Sequence, residues 1–181
     1  MTPVRINTVA TAIYCALWLA APLAAAQTPL ADLARPPPAA QRFTIMSSAG
    51  KHGESSRWRL ADGTEMGRES LLLRGQVFET DSAASFGADG LLDRLTVRGF
   101  TPNGNAAERF TRTHGLASWE SPVDAGQKTI SGPAMYAAFG GPEALSADLY
   151  EALLVAPGHS LALLPGGAAH AEVLTTANVG R

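Results

Sequence analysis

Gly158-His159-Ser160-Leu161-Ala162 comes within one residue of the G-x-S-x-G nucleophile elbow, with alanine where the last glycine belongs. Acyl chemistry at such a serine needs a strand before it, a helix after it, and a distant acid and base to activate the hydroxyl. Here a helical pattern precedes Ser160, and only Leu161 to Leu164 separate it from Pro165, too short a run for the helix that must follow. A helix-to-strand loop is the better reading of Ser160. The histidines His52, His114, His159 and His170 raise metal chemistry, but none forms H-x-H or H-E-x-x-H and no local ligand pair emerges from their spacing. His52-Gly53-Glu54 and His170-Ala171-Glu172 each give the H-x-E of zinc deaminases, a chemistry that also takes two cysteine ligands. Cys15 is the sole cysteine, so all four histidines read as non-ligands. No catalytic, cofactor-binding or metal residue is assigned from the sequence.

Two further sets of side chains have a chemical reading and a plain one. Trp58, Phe110, Trp119, Tyr136 and Phe139 would suit a ligand cavity under a curved sheet, since these rings combine apolar area with polar handles; they would equally suit a core. Arg57, Arg59, Arg98 and Arg112 alternate with apolar neighbours and are expected on the solvated face of a sheet.

The elements that must position these residues are legible from turn chemistry. Between Arg42 and about Ala138, Gly50, Gly53, Asp62-Gly63, Asp89-Gly90, Asn103-Gly104, His114-Gly115 and Ala125-Gly126 punctuate short β-prone segments. A strand with its turn takes about 8–12 residues, so the intervals fit an antiparallel meander. Phe43 and Ile45 alternate with Thr44 and Met46, Trp58 and Leu60 with Arg57 and Arg59, and Leu95 and Val97 with Thr96 and Arg98. Period two places the apolar set inside and the other in solvent. From Pro142 to Ala156 the period changes: Leu145, Leu149 and Leu153 recur every four residues, while Ser146, Asp148 and Glu151 fall largely opposite. Pro142 suits a first helical turn and Pro157-Gly158 an end, which predicts one amphipathic helix near the C-terminus. Ser160–Leu164 and Ala169–Thr176 read as two strands around Pro165-Gly166-Gly167. The fold class expected is α+β, mainly an antiparallel, curved meander with a single helix.

At the front, Arg5, an apolar run from Val9 to Leu19 and the small residues Ala24 and Ala26 have the three zones of a secretory signal peptide cleaved after Ala26. The apolar run is too short for the roughly 20 residues that cross a bilayer. Cys15 lacks the small residues that precede a lipidated cysteine, and its removal with residues 1–26 leaves a chain that can form no disulfide. The reading is export to the periplasm or beyond, with no membrane association after cleavage. Residues 27–41, with Pro29, Pro36, Pro37 and Pro38, are expected to be an extended, mobile linker, and residues 42–181 a β-rich domain incomplete at its C-terminus. The formal charge of −2, with no run of five like charges, argues against nucleic acid as a partner.

Phe43–Glu54, Leu73–Asp81, Leu95–Gly104, Ala117–Pro122 and Leu161–Gly167 occur in an order that resembles the N-terminal, non-catalytic region of secreted bacterial amidohydrolases of the imidazolonepropionase-like group. The resemblance extends from about Arg42 to Arg181. In that family the corresponding region is followed by a barrel whose H-x-H and further histidines hold divalent metal and activate water against a C–N bond. None of those motifs has a counterpart here, so no cofactor is expected in this chain. The resemblance implies an exported accessory domain or fragment whose partner is an amidohydrolase catalytic domain. The alternative is a stand-alone periplasmic binding module for a lipid or another apolar ligand.

Overall fold

The computed structural model describes residues 27–175; the leader assigned to residues 1–26 lies outside them, as does Thr176. Nine strands form one antiparallel sheet. In chain order they are β1 (Gln41–Ser47), β2 (Gly50–Arg59), β3 (Glu65–Leu73), β4 (Gln76–Phe86), β5 (Leu92–Thr101), β6 (Gly104–Asn105), β7 (Glu108–Thr113), β8 (Leu116–Glu120) and β9 (Ala125–Thr129). They run as a meander from β1 at one edge to β9 at the other, with β6 a short return against β5. No pairing joins β1 to β9, so the sheet stays open.

The tight turns form where the sequence supplies positive φ. Arg74 (φ 51°) with Gly75 (77°), and His114 (50°) with Gly115 (77°), close two-residue hairpins whose backbone twist suits the flanking strands.

A second layer follows. β10 (Ala134–Tyr136) lies parallel to β11 (Ser160–Leu164), the helix α1 (Ala144–Val155) joins them, and β12 (Ala168–His170) pairs antiparallel with β11. A parallel pair needs a crossover of about a dozen or more residues, which α1 and its flanking loops provide. The expected class, mostly antiparallel β with one helix, holds, although β10 and its parallel pairing were not foreseen. The strand expected over residues 169–176 is confined to Ala168–His170.

Register fixes the two faces of the large sheet. Glu65, Gly67 and Glu69 of β3 pair with Ala84, Ser82 and Thr80 of β4, and these in turn with Leu95, Val97 and Gly99 of β5. Leu95 and Val97 then pair with Phe110 and Glu108 of β7. This is the face that the second layer covers, and its centre is the core: Leu95, Val97 and Phe110 with Met135, Tyr136, Leu153, Leu161 and Leu164. Phe110 and Tyr136 stack with ring centroids 5.1 Å apart.

Three expectations are corrected by this layering. The alternation in β1 does not bury Phe43, which is 54% exposed, because the covering layer does not reach that edge. In β2 the polarity is reversed from the expected one: Arg57, paired with Gly67, shares the covered face, and Leu60 is exposed. In α1 the stripe turned to the sheet includes Asp148, which is buried with Ala152 and Leu153.

The proline-rich segment also differs from a mobile linker. Leu30–Asp32 form one 3-10 turn, Leu33 is buried, and the Ala34 N–H donates to the Asp81 carboxylate at 2.6 Å. Asp81 pairs in register with Arg68 and Arg98, on the face of the sheet opposite the helix. The segment is therefore a strap across that second face.

Candidate functional site

The densest group of ionisable side chains lies where α1 crosses β2 and β3. Arg57 leaves β2 on the covered face and meets Asp148 of α1, with Nη2 to Oδ1 at 2.5 Å. The same guanidinium stands 3.7 Å from Glu65 of β3 and 3.5 Å from Glu151 of α1. Arg59, two residues on, donates from Nε to Glu65 at 2.6 Å. Helical spacing carries Asp148 and Glu151 to the same guanidinium, since positions three apart share a face.

Two guanidiniums facing three carboxylates under-compensate the most buried of them, Asp148. Burial is the largest cause that drives the Asp148 carboxyl up, to about 6; Glu151 and Glu65 add to it, and Arg57 opposes it. A cavity of about 310 Å³ opens beside this cluster, its walls including Phe86, Ala152 and Val155. It continues past Ala152 and Val155 into a groove of about 280 Å³ lined by Leu91, Pro133, Ala156 and Pro157, with Arg112 at its far end.

Beyond Arg112 the surface widens into a cleft of about 570 Å³ at the β4–β5 and β7–β8 turns. Its charges are engaged with each other. Arg112 donates to both oxygens of Asp89 at 2.7 and 2.8 Å, to Asp93 at 3.0 Å and to the Leu91 carbonyl at 3.1 Å. Hydrogen bonding from Arg112 holds the Asp89 carboxyl down at about 2. This guanidinium pins the β4–β5 loop.

Two more buried carboxylates fasten the layers. Glu108 accepts from the Tyr136 hydroxyl at 2.9 Å and from the backbone N–H groups of Phe139 and Gly140 at 3.0 and 2.6 Å. Desolvation and the facing Glu108 charge push the Tyr136 phenol up. Glu69 accepts from the Glu143 N–H at 3.0 Å at the start of α1, a favourable place for a negative charge, while burial raises its own carboxyl. Among the described residues no buried side-chain polar atom lacks a partner.

The arginines thus do not share one solvated face: Arg57 and Arg112 are largely withdrawn from solvent, while Arg59 and Arg98 stay partly in it. Arg57, Arg59 and Arg112 engage carboxylates on the covered side, and Arg98 lies on the opposite side against buried Asp81. Register divides them between the two faces, so no single sheet surface collects them. The five aromatics do not converge as a set, although Phe110 and Trp119 share the wall of a recess of about 310 Å³. Phe110 and Tyr136 are core, Trp119 leans on that core with its indole N–H on Asp124 at 2.8 Å, Trp58 is half-buried on β2, and Phe139 is exposed.

The histidines are dispersed. His52 meets Ser47 Oγ at 2.6 Å, His114 sits in a hairpin turn, and His159 Nδ1 lies 2.9 Å from the Leu154 carbonyl. Among the described residues no three histidine, cysteine or carboxylate groups converge as metal ligands. Ser160 opens β11 directly opposite His170 of β12, a juxtaposition the linear spacing hides. Its hydroxyl donates to the Ala169 carbonyl at 3.3 Å, on an exposed surface. It begins a strand and follows a helix, the reverse of the elbow order. No family model, curated protein or solved structure matches the chain.

Proposed function

We propose that this chain is an exported, non-catalytic accessory domain of an amidohydrolase-type hydrolase, serving a catalytic partner that attacks C–N bonds of the amide type. The observation that carries the reading is the use made of its buried charges. Glu69, Glu108 and Asp148 each hold the second layer to the sheet, and Glu65 ties neighbouring strands through Arg57 and Arg59. Such a use fits a scaffold, and the ordered resemblance of its strand and turn segments supplies the family. In this reading the sheet is curved around the helical layer, the divalent metal belongs to the partner domain, and the leader is removed after Ala26 in the periplasm or outside the cell.

The test is the full chain expressed with its leader. The periplasmic species should have the mass of a chain that starts at Gln27, and should leave amide and dipeptide substrates intact with zinc or manganese present. Metal-dependent turnover by this chain alone would overturn the reading.

The groove beside α1 favours a second reading, a carrier of a small apolar ligand, because Leu91, Pro133, Val155 and Ala156 give it apolar walls. Native mass spectrometry of protein taken from the periplasm separates the two. A retained ligand mass supports the carrier, and an empty chain supports the accessory domain.

A further inference from the structure

The second face of the sheet carries a binding arrangement that the sequence did not suggest. Asp81 is 2% exposed, and Arg98 clamps it, with Nε on Oδ1 at 3.0 Å and Nη2 on Oδ2. The remaining hydrogen bond to this carboxylate comes from a backbone amide outside any sheet pairing, 47 residues away in the chain: the Ala34 N–H of the strap, at 2.6 Å. Leu33, immediately before it, is 4% exposed, although its neighbours Asp32 and Arg35 are exposed. One apolar side chain and one main-chain N–H are thus what the strap presents to the face. Asp32 adds its charge beside Arg98.

We propose that the Asp81–Arg98 pair and the adjoining Leu33 position form a recognition site for a short peptide segment, one that leaves a single 3-10 turn with an apolar side chain followed by a free backbone N–H and a proline-rich continuation. Residues 29–35 of the same chain fill it. Recognition through a main-chain donor by a buried, arginine-held carboxylate is charge-assisted and tolerant of the side chain at the donor position. Pro36-Pro37-Pro38 restricts φ and supplies no backbone donors, so the chain between the site and β1 is already stiffened. Tethering gives the strap an effective concentration on the order of millimolar, enough to exclude a free peptide of similar sequence. The site stands whether or not the chain serves an amidohydrolase.

The test severs the strap after folding. A full chain in which a protease recognition sequence replaces Pro37-Pro38-Ala39-Ala40 is folded, cut and diluted, and a labelled peptide spanning Gln27–Pro36 is added while its anisotropy is read. The cut chain should bind the peptide saturably, and the uncut chain should not at the same concentrations. A peptide carrying Leu33→Asp should bind at least tenfold more weakly, as should the wild-type peptide to a cut chain carrying Asp81→Asn. A severed fragment that stays bound through dilution and is displaced by the labelled peptide supports the site equally. No binding by the cut chain, or equal binding of the Leu33→Asp peptide, overturns the proposal. Circular dichroism of the cut chain before dilution verifies that the sheet is intact, so loss of fold is not mistaken for loss of the site.

Discussion

Arg57 faces three carboxylates, one of which it shares with Arg59, and the balance of that arrangement depends on pH. The folded Asp148 carboxyl, raised to about 6 from an ordinary value of 3.8, holds its proton more tightly than the unfolded chain does. Its contribution to stability is therefore complete below that ordinary value and is lost as pH rises through about 6. The shift corresponds to at most about 3 kcal/mol. Burial raises Glu69 in the same direction, so it adds with the same sign, whereas Asp89, held down by Arg112, contributes stability that disappears only as pH falls through about 2. Asp148→Asn is expected to flatten the profile: between pH 4.5 and 7.5 the urea midpoint of the natural chain should fall relative to that of the variant. Parallel profiles would assign the pH dependence elsewhere. Arg57→Met removes the shared cation and leaves Asp148 buried without its ion-pair partner, while Glu65 keeps Arg59 and Glu151 stays in solvent; the change is expected to cost about 3–5 kcal/mol near neutral pH. The loss should shrink at pH 4.5, where Asp148 is already protonated; urea titration at the two pH values measures the difference.

α1 and the strand β10 are held by different forces, and this separates what the sequence reveals from what it conceals. Leu145, Leu149 and Leu153 mark the helix by their period, and Leu153 is buried against the sheet, so Leu153→Ala is expected to cost about 2–5 kcal/mol in a denaturant titration. The hairpins are legible for a similarly local reason: His114-Gly115 supplies the positive φ that its turn requires. β10 has three residues, all buried, between Pro133 and Ala137, too short to display alternation, and it depends on pairing with residues some 28 positions away. The buried carboxylates mislead more strongly. Glu65 and Glu69 recur at the strand period with Gly67 between them, a pattern that signals a wet face, yet α1 docks there; the Glu143 N–H at its start answers Glu69, and Arg57 and Arg59 of β2 answer Glu65. The strap shows the same limit, because consecutive prolines describe a local conformation and not the distant Asp81 that receives it. Candidate-site residues identified by type, the histidines and Ser160, remained scattered or engaged with backbone. The residues that do cluster are ordinary arginines and glutamates brought together by register.

The two layers should behave as one cooperative unit, since no cysteine follows residue 26 and no disulfide can tie them there. Cohesion rests on the shared core and on three carboxylate fasteners, Glu69, Glu108 and Asp148. Glu108 is the most buried of the three and joins β7 to the chain on both sides of Ala137-Ala138, so its removal tests the cooperativity directly. Glu108→Ala leaves the Tyr136 hydroxyl and two backbone N–H groups without their acceptor, and hydrogen bonds to a charged partner contribute roughly 1.5–3 kcal/mol each when broken. Glu108→Gln keeps an acceptor oxygen and should lose less. The expected consequence of Glu108→Ala is uneven: amide hydrogen exchange should accelerate over residues 134–170 while β3, β4 and β5 stay protected, because their ladders do not pass through Glu108. In the natural chain, by contrast, the tryptophan signal of Trp119 and the far-ultraviolet signal of the sheet should unfold at one midpoint. Exchange that accelerates uniformly through both layers of the variant would show that the sheet has no stability apart from its covering layer. The helix would then be as much a part of the core as β5.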